Sequence, residues 1–194
     1  MRRPRAGVPP RWVYYPLLVT HVLTGTVAMV TCCFQIWPWF RRRHRRGHRI
    51  TGRVYVLAGV VPAGVTAVYI GLHTPFGPST MVGNIVIALL WLFVTLRGFL
   101  AARARRFDEH RRWMIRSFVL TMSIIVSRIF AIPAIISLAQ VVDTVYAGSD
   151  ELMLQSATSI NIWLSLAFSL VISQWWLERD GGRRRRAARP APTP

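Results

Sequence analysis

The residues whose types and spacing could do chemistry are histidines and arginines. His48 sits in the stretch Arg41 to Tyr55, RRRHRRGHRITGRVY, which also holds Arg53. His110 opens a second basic block, His110-Arg111-Arg112-Trp113-Met114-Ile115-Arg116. His21 lies inside an apolar run, His73 at the end of another, and Arg128 interrupts a third. Neutral imidazoles ligate haem iron or relay protons, and guanidinium groups hold carboxylates and other anions. The candidates for ligand or cofactor binding are therefore His21, His48, Arg53, His110 and Arg128. Gln35, Tyr55, His73 and Trp113 are weaker candidates. His44 and His48 have the i,i+4 spacing that holds a metal on a helix. Here the surrounding arginines repel a divalent cation and Gly47 weakens the helix, so no metal site is expected. Among seven acidic residues there is no paired-carboxylate arrangement, and no phosphate-cradling glycine loop or HExxH or GxSxG motif occurs. Hydrolytic chemistry of the soluble type is not expected, and whether the chain is an enzyme stays open at this point.

The elements that must position these residues follow from composition. Of 194 residues 53% are hydrophobic and only 16% charged, and the mean hydropathy of +0.35 is that of a membrane protein. The net charge of +18 comes wholly from arginine, for the chain has no lysine. Nucleic acid is not the expected partner, because the arginines fall in the gaps between apolar runs, where the positive-inside effect puts them. Cys32 and Cys33 are adjacent in an apolar run, point in different directions on a helix, and read as free thiols.

The fold class is all-α, a polytopic integral membrane helical bundle with about five transmembrane helices, since roughly 20 apolar residues cross the hydrocarbon core. A basic flexible tail, residues 1–11, precedes a bundle over residues 12–177, with spans at about 12–37, 54–72, 81–101, 113–139 and 158–177. Pro62 should kink the second span, and an Arg-rich disordered tail, residues 178–194, follows the last. With the amino terminus outside, inner segments hold 20 arginines and outer segments 4, Arg128 making up the 25. This orients a multi-pass protein of the cytoplasmic membrane with its carboxyl tail in the cytoplasm. Anionic headgroups at the inner face are the expected partner, at about 1 kcal/mol per arginine near the surface. A homodimer would be one way to complete a pathway.

Polar and small residues recur at helical spacing on the first span (Thr20/His21, Thr24, Ala28, Thr31/Cys32, Gln35), on the second (Gly52, Tyr55, Gly59, Pro62/Ala63, Thr66, His73) and on the fifth (Ser165, Ser169, Ser173). These stripes should face other helices, for close packing and interhelical hydrogen bonds. His21 lies about 13 Å below the outer boundary and Arg128 reaches a comparable depth. A guanidinium at that depth should face a cavity or a partner, with His21, Asn84, Gln140, Asp143 and Asn161 within reach; snorkelling is the plain alternative.

Taken together, His21-x-x-x-Gly25, Gln35, His48-Arg49-x-x-Gly52-Arg53-x-Tyr55, Trp91, His110-x-x-Trp113-Met114-x-Arg116-Ser117 and Arg128 resemble the domain-of-unknown-function 2306 (DUF2306) family of bacterial membrane proteins. The resemblance covers about residues 15–140, and the blocks around His48 and His110 are its most specific parts. Around Gln35 the chain reads Thr31-Cys32-Cys33-Phe34-Gln35 where a Gly-Pro-Phe-Gln-like run belongs. The resemblance implies a helical bundle with these polar positions, and no established activity.

Three functions fit. The leading one is a haem-binding or redox membrane protein, with haem b between histidines of neighbouring helices and arginines on its propionates. The inner pair, His48 and His110, matches in level, whereas His21 and His73 differ by about 13 Å in depth. The second is a transporter of small ligands, anions or protons, with its site at His21 and Arg128. The third is a structural or accessory protein whose inner arginines bind anionic lipid.

Overall fold

Long apolar runs with polar ends give helices that outreach the hydrocarbon layer. The computed structural model describes residues 10–187, and among them helices predominate and no strand occurs. Helix α1 spans Arg11–Ile36, and a short α2, Pro38–Arg43, follows it. The second crossing is composite: α3 (Arg45–Val54), a π segment (Tyr55–Val60) and α4 (Val61–Leu72). Then come α5 (Gly77–Arg103), α6 (Phe107–Ala139), the single turn α7 (Val142–Val145) and α8 (Asp150–Ala187). Five of these helices are long and apolar enough to cross a membrane.

The second to fifth crossings extend past the apolar runs that announce them, because backbone hydrogen bonding continues where hydropathy has already fallen; the first, Arg11–Ile36, matches its run. The second starts at Arg45, so most of the basic junction is helical. The fifth starts at Asp150, where Asp150 and Glu151 sit favourably on the positive end of the helix dipole. It also continues beyond the expected end at Leu177 to Ala187, against the expectation of a disordered tail from residue 178. A Gln174–Glu178 hydrogen bond of 2.9 Å and Arg179 stacked 4.6 Å from the Trp175 ring support that extension. The Gly181-Gly182 pair opposes it by about 1 kcal/mol per glycine, too little to end the helix. Residues 1–9 and 188–194 of the two expected tails lie outside the described residues.

Pro62 stands in the first turn of α4, directly after the π segment, and lacks the N–H that would bond back into that turn. The wider π turn takes up the mismatch. Close by, Gly59 lies against Ala28 so tightly that an added Cβ would stand 2.9 Å from the Ala28 backbone.

The interior of the bundle is small and hydroxylated. Thr66, Thr80, Thr95, Ser117, Thr121, Ser165 and Ser169 are buried, while Leu23, Leu57, Val65, Phe93 and Ile129 point outward. Such an arrangement suits a lipid solvent, in which apolar exterior surface carries no penalty and small residues permit close helix packing. Helices α5, α6 and α8 pack on one another, α4 packs on α5, and α1 closes the bundle against the π segment and α4.

Candidate functional site

At the end of the bundle where α2 joins α3, a cavity of about 430 Å³ opens between α1, α2, α3 and α6. His48 and His110 both line it, together with Gln35, Tyr55, Arg41 and Arg111. Met114, Phe118 and Trp176 form its apolar wall, with Phe118 and Trp176 edge to face at 6.1 Å. A volume in this range accommodates a cofactor-sized ligand.

His110 stands in the first turn of α6 and its Nδ1 lies 2.8 Å from the carbonyl of Gly98 on α5. A carbonyl only accepts, so Nδ1 carries the proton and donates, leaving Nε2 with its lone pair. Gly98 makes the approach possible, since a Cβ there would meet the Met114 sulfur at 2.8 Å. His48, on α3, has a buried Nδ1 with no hydrogen-bond partner among the described residues. His110 and Arg41 are near enough to act on it electrostatically. Its backbone is held by Gln35, whose Nε2 donates to the His48 carbonyl at 3.0 Å and also to Thr51 Oγ1. Gln35 thus ties α1 to α3 and fixes the level of His48.

Behind the cavity Tyr55, 1% exposed, closes the inner wall. Its hydroxyl meets Ser117 Oγ and Thr121 Oγ1, the latter at 2.8 Å. Trp91 Nε1 donates to Thr121 Oγ1 at 2.9 Å, and Thr95 Oγ1 lies 2.6 Å from Ser117 Oγ. The protons can be assigned from the ends. Thr95 donates to the Trp91 carbonyl at 2.7 Å and Thr121 to the Ser117 carbonyl at 2.9 Å. Ser117 must then donate to Thr95, and the single Tyr55 proton goes to Ser117 Oγ or Thr121 Oγ1, whose own protons are already committed. Two protons, those of Thr95 and Thr121, end on helix carbonyls, and those of Ser117, Tyr55 and Trp91 end on hydroxyl oxygens within the cluster. The cluster is a clamp joining the π segment, α5 and α6, and a buried network of this kind is stabilising because all its donors are satisfied.

The remaining candidates lie elsewhere. Arg53 is exposed on the opposite side of α3 from the cavity-lining His48. His21 Nδ1 donates to the Ala63 carbonyl at 2.9 Å, joining α1 to α4. Arg128 is exposed and makes no hydrogen bond or ion pair among the described residues, so it is not joined to His21. His73 turns back to its own helix, with Nδ1 2.8 Å from the Tyr69 carbonyl and the two rings stacked at 4.5 Å. Trp113 lies beside the cavity and not in it, under the Arg97 and Arg116 guanidinium groups at 5.7 and 5.0 Å. Both cysteines are free thiols, and the buried Cys32 lines the cavity.

Sequence reasoning passed over Thr95, Thr121 and Trp176. The first two had a signal in the polar i,i+4 pairs Trp91/Thr95 and Ser117/Thr121 within apolar runs. Trp176 had none, being one of several aromatics near a span end.

Five helices long and apolar enough to cross a membrane, an apolar exterior and a small hydroxylated interior define a polytopic helical-bundle membrane protein. Within that class the chain belongs to the family described as Predicted membrane protein (DUF2306), which matches residues 18–176. The match includes α8 as far as Trp176 of the cavity wall. No curated protein and no solved structure matches the chain.

Proposed function

We propose that the cavity at the α2–α3 end holds a haem b ligated by His48 and His110, and that the protein transfers electrons in the membrane. The observation that carries this reading is the convergence of two imidazoles from different helices on one cavity, flanked by Arg41 and Arg111. The donor set fits the group. Among the described residues no cluster of three His, Cys, Asp or Glu side chains occurs, so a bare ion would lack donors. An iron already held by porphyrin nitrogens needs only two axial ligands. The Gly98 carbonyl orients the His110 ring and fixes its tautomer, which is the usual outer-shell support of a ligating histidine. The buried, unpartnered Nδ1 of His48 has a hydrogen-bonding capacity to satisfy. Arg41 and Arg111 are suited to propionates, and Met114, Phe118 and Trp176 keep water from the ring faces. When bound, haem supplies one-electron chemistry; the chain supplies ligation, orientation and a water-poor pocket.

The positive-inside bias supports putting this cavity at the cytoplasmic face of the cytoplasmic membrane, with the amino terminus outside. No observation favours a transport site at His21 and Arg128. The test is an oxidised-minus-reduced visible spectrum of the detergent-solubilised full chain, expressed with haem precursor supplied. A haem signature lost in His48→Ala and His110→Ala and kept in His21→Ala supports the reading. A folded, colourless parent protein overturns it.

A further inference from the structure

The strongest positive charge of the described residues is concentrated in a second concavity, separate from the histidine cavity. It has a volume of about 560 Å³ and is lined by Arg42, Arg43, His44, Arg45, Arg46 and Phe40. The chain breaks helical geometry at His44, with φ −121° and ψ 66°, and this corner turns arginines of α2 and α3 toward one space. Its floor is packed. The His44 ring lies 5.3 Å from Trp39 and 5.7 Å from Phe40, and Phe40 approaches Gly47 so closely that a Cβ there would be 3.0 Å from the ring. Among the described residues no carboxylate pairs with Arg42, Arg43, Arg45 or Arg46. Four guanidinium groups brought together without counter-charge repel one another, and that repulsion is relieved by an anion with several oxygens.

We infer that this corner binds the phosphate of an anionic membrane lipid. Three observations select a lipid over a soluble anion. The corner directly follows α1, one of the membrane crossings. Trp37 and Trp39 stand beside it half exposed, stacked at 5.3 Å, as interfacial aromatics do at headgroup level. The mouth is open, so a headgroup can enter while its acyl chains stay in the bilayer. Helix α2 is also a shared wall: its Pro38 and Arg41 line the histidine cavity, while its Phe40, Arg42 and Arg43 line the lipid corner. A lipid seated on one side steadies the wall of the other.

The test titrates fluorescently labelled phosphatidylglycerol, with labelled phosphatidylcholine as the neutral reference, into the detergent-solubilised full chain. The triple variant Arg42→Gln/Arg43→Gln/Arg46→Gln should bind phosphatidylglycerol on the order of a hundredfold more weakly. The triple variant Arg103→Gln/Arg105→Gln/Arg112→Gln, which removes as much charge from the α5–α6 junction, should lose less than about threefold. Gly47→Leu keeps every charge and drives Phe40 into the corner, so it too should lose binding. Equal losses in the two triple variants, full binding by Gly47→Leu, binding of phosphatidylcholine equal to phosphatidylglycerol, or displacement of the lipid by equimolar inorganic phosphate each overturn the assignment.

Discussion

The proton assignment of the Tyr55 cluster can be tested by ranking three conservative substitutions. Tyr55→Phe removes a donor, yet Ser117 still donates to Thr95 and Thr121 to the Ser117 carbonyl, so no polar group is stranded. Interhelical hydrogen bonds in membranes average about 0.6 kcal/mol, and that is the expected cost. Ser117→Ala should be equally mild, because Tyr55 keeps Thr121 as acceptor and Thr95 keeps the Trp91 carbonyl. Thr121→Val is different. It preserves shape and removes the acceptor of the Trp91 indole N–H, which has no other partner in the cluster. A stranded donor in a buried site costs about 1–3 kcal/mol. The assay is the denaturation midpoint of the solubilised protein in a detergent series. If Tyr55→Phe destabilises as much as Thr121→Val, the Tyr55 oxygen is accepting a proton that the assignment sends elsewhere, and the reasoning fails.

Other substitutions bear on the helix contacts. Gly59→Ala places a methyl 2.9 Å from the Ala28 backbone and should cost about 1–3 kcal/mol in the same midpoint assay, since neither helix has a flexible side chain there to yield. Gly98→Ala meets Met114 Sδ at 2.8 Å and Trp113 Cβ at 3.2 Å; Met114 can turn aside but Trp113 Cβ cannot, so α6 must shift from α5, and the same assay should show a loss of about 1–3 kcal/mol. Gln35→Ala removes the tie from α1 to the His48 carbonyl and Thr51 and should cost about 0.6–1.7 kcal/mol in the midpoint assay with the bundle still folded; if the proposed haem binds, its content should fall as well. Arg128→Leu removes an exposed guanidinium from the middle of a crossing and should raise folded yield, given an insertion penalty of about 2.5–3.5 kcal/mol for such a residue. A fall in yield would show that Arg128 pairs across an interface between two copies of the chain.

Five crossings were legible because an apolar run of sufficient length has one economical fate in a bilayer. The inner histidines were legible through polarity, since His48 and His110 stand in basic blocks at matching levels. What depth arithmetic cannot supply is azimuth. His21 and Arg128 share a level, but α6 turns Arg128 outward while His21 faces α4. For Arg53 the azimuth was available: at about 100° per residue, a separation of five positions from His48 rotates a side chain roughly 140° away, whereas Tyr55 at seven positions returns to the same face. The π segment was not legible, because nothing but Pro62 distinguished Tyr55–Val60 from an ordinary helical turn.

That segment gives the second crossing two phases. On one side of it Tyr55 addresses α6, and on the other Ala63 and Thr66 address α1 through His21. One residue more than an α-helix needs is stored there as a rotational offset. Deleting a single position such as Ala58 would let the helix close into regular α geometry without shortening the crossing by more than about 1.5 Å. It would turn one half against the other and break either the hydroxyl clamp or the His21 tie. A one-residue deletion in Tyr55–Val60 should therefore destabilise the bundle at a place where, by hydropathy, no residue looks special.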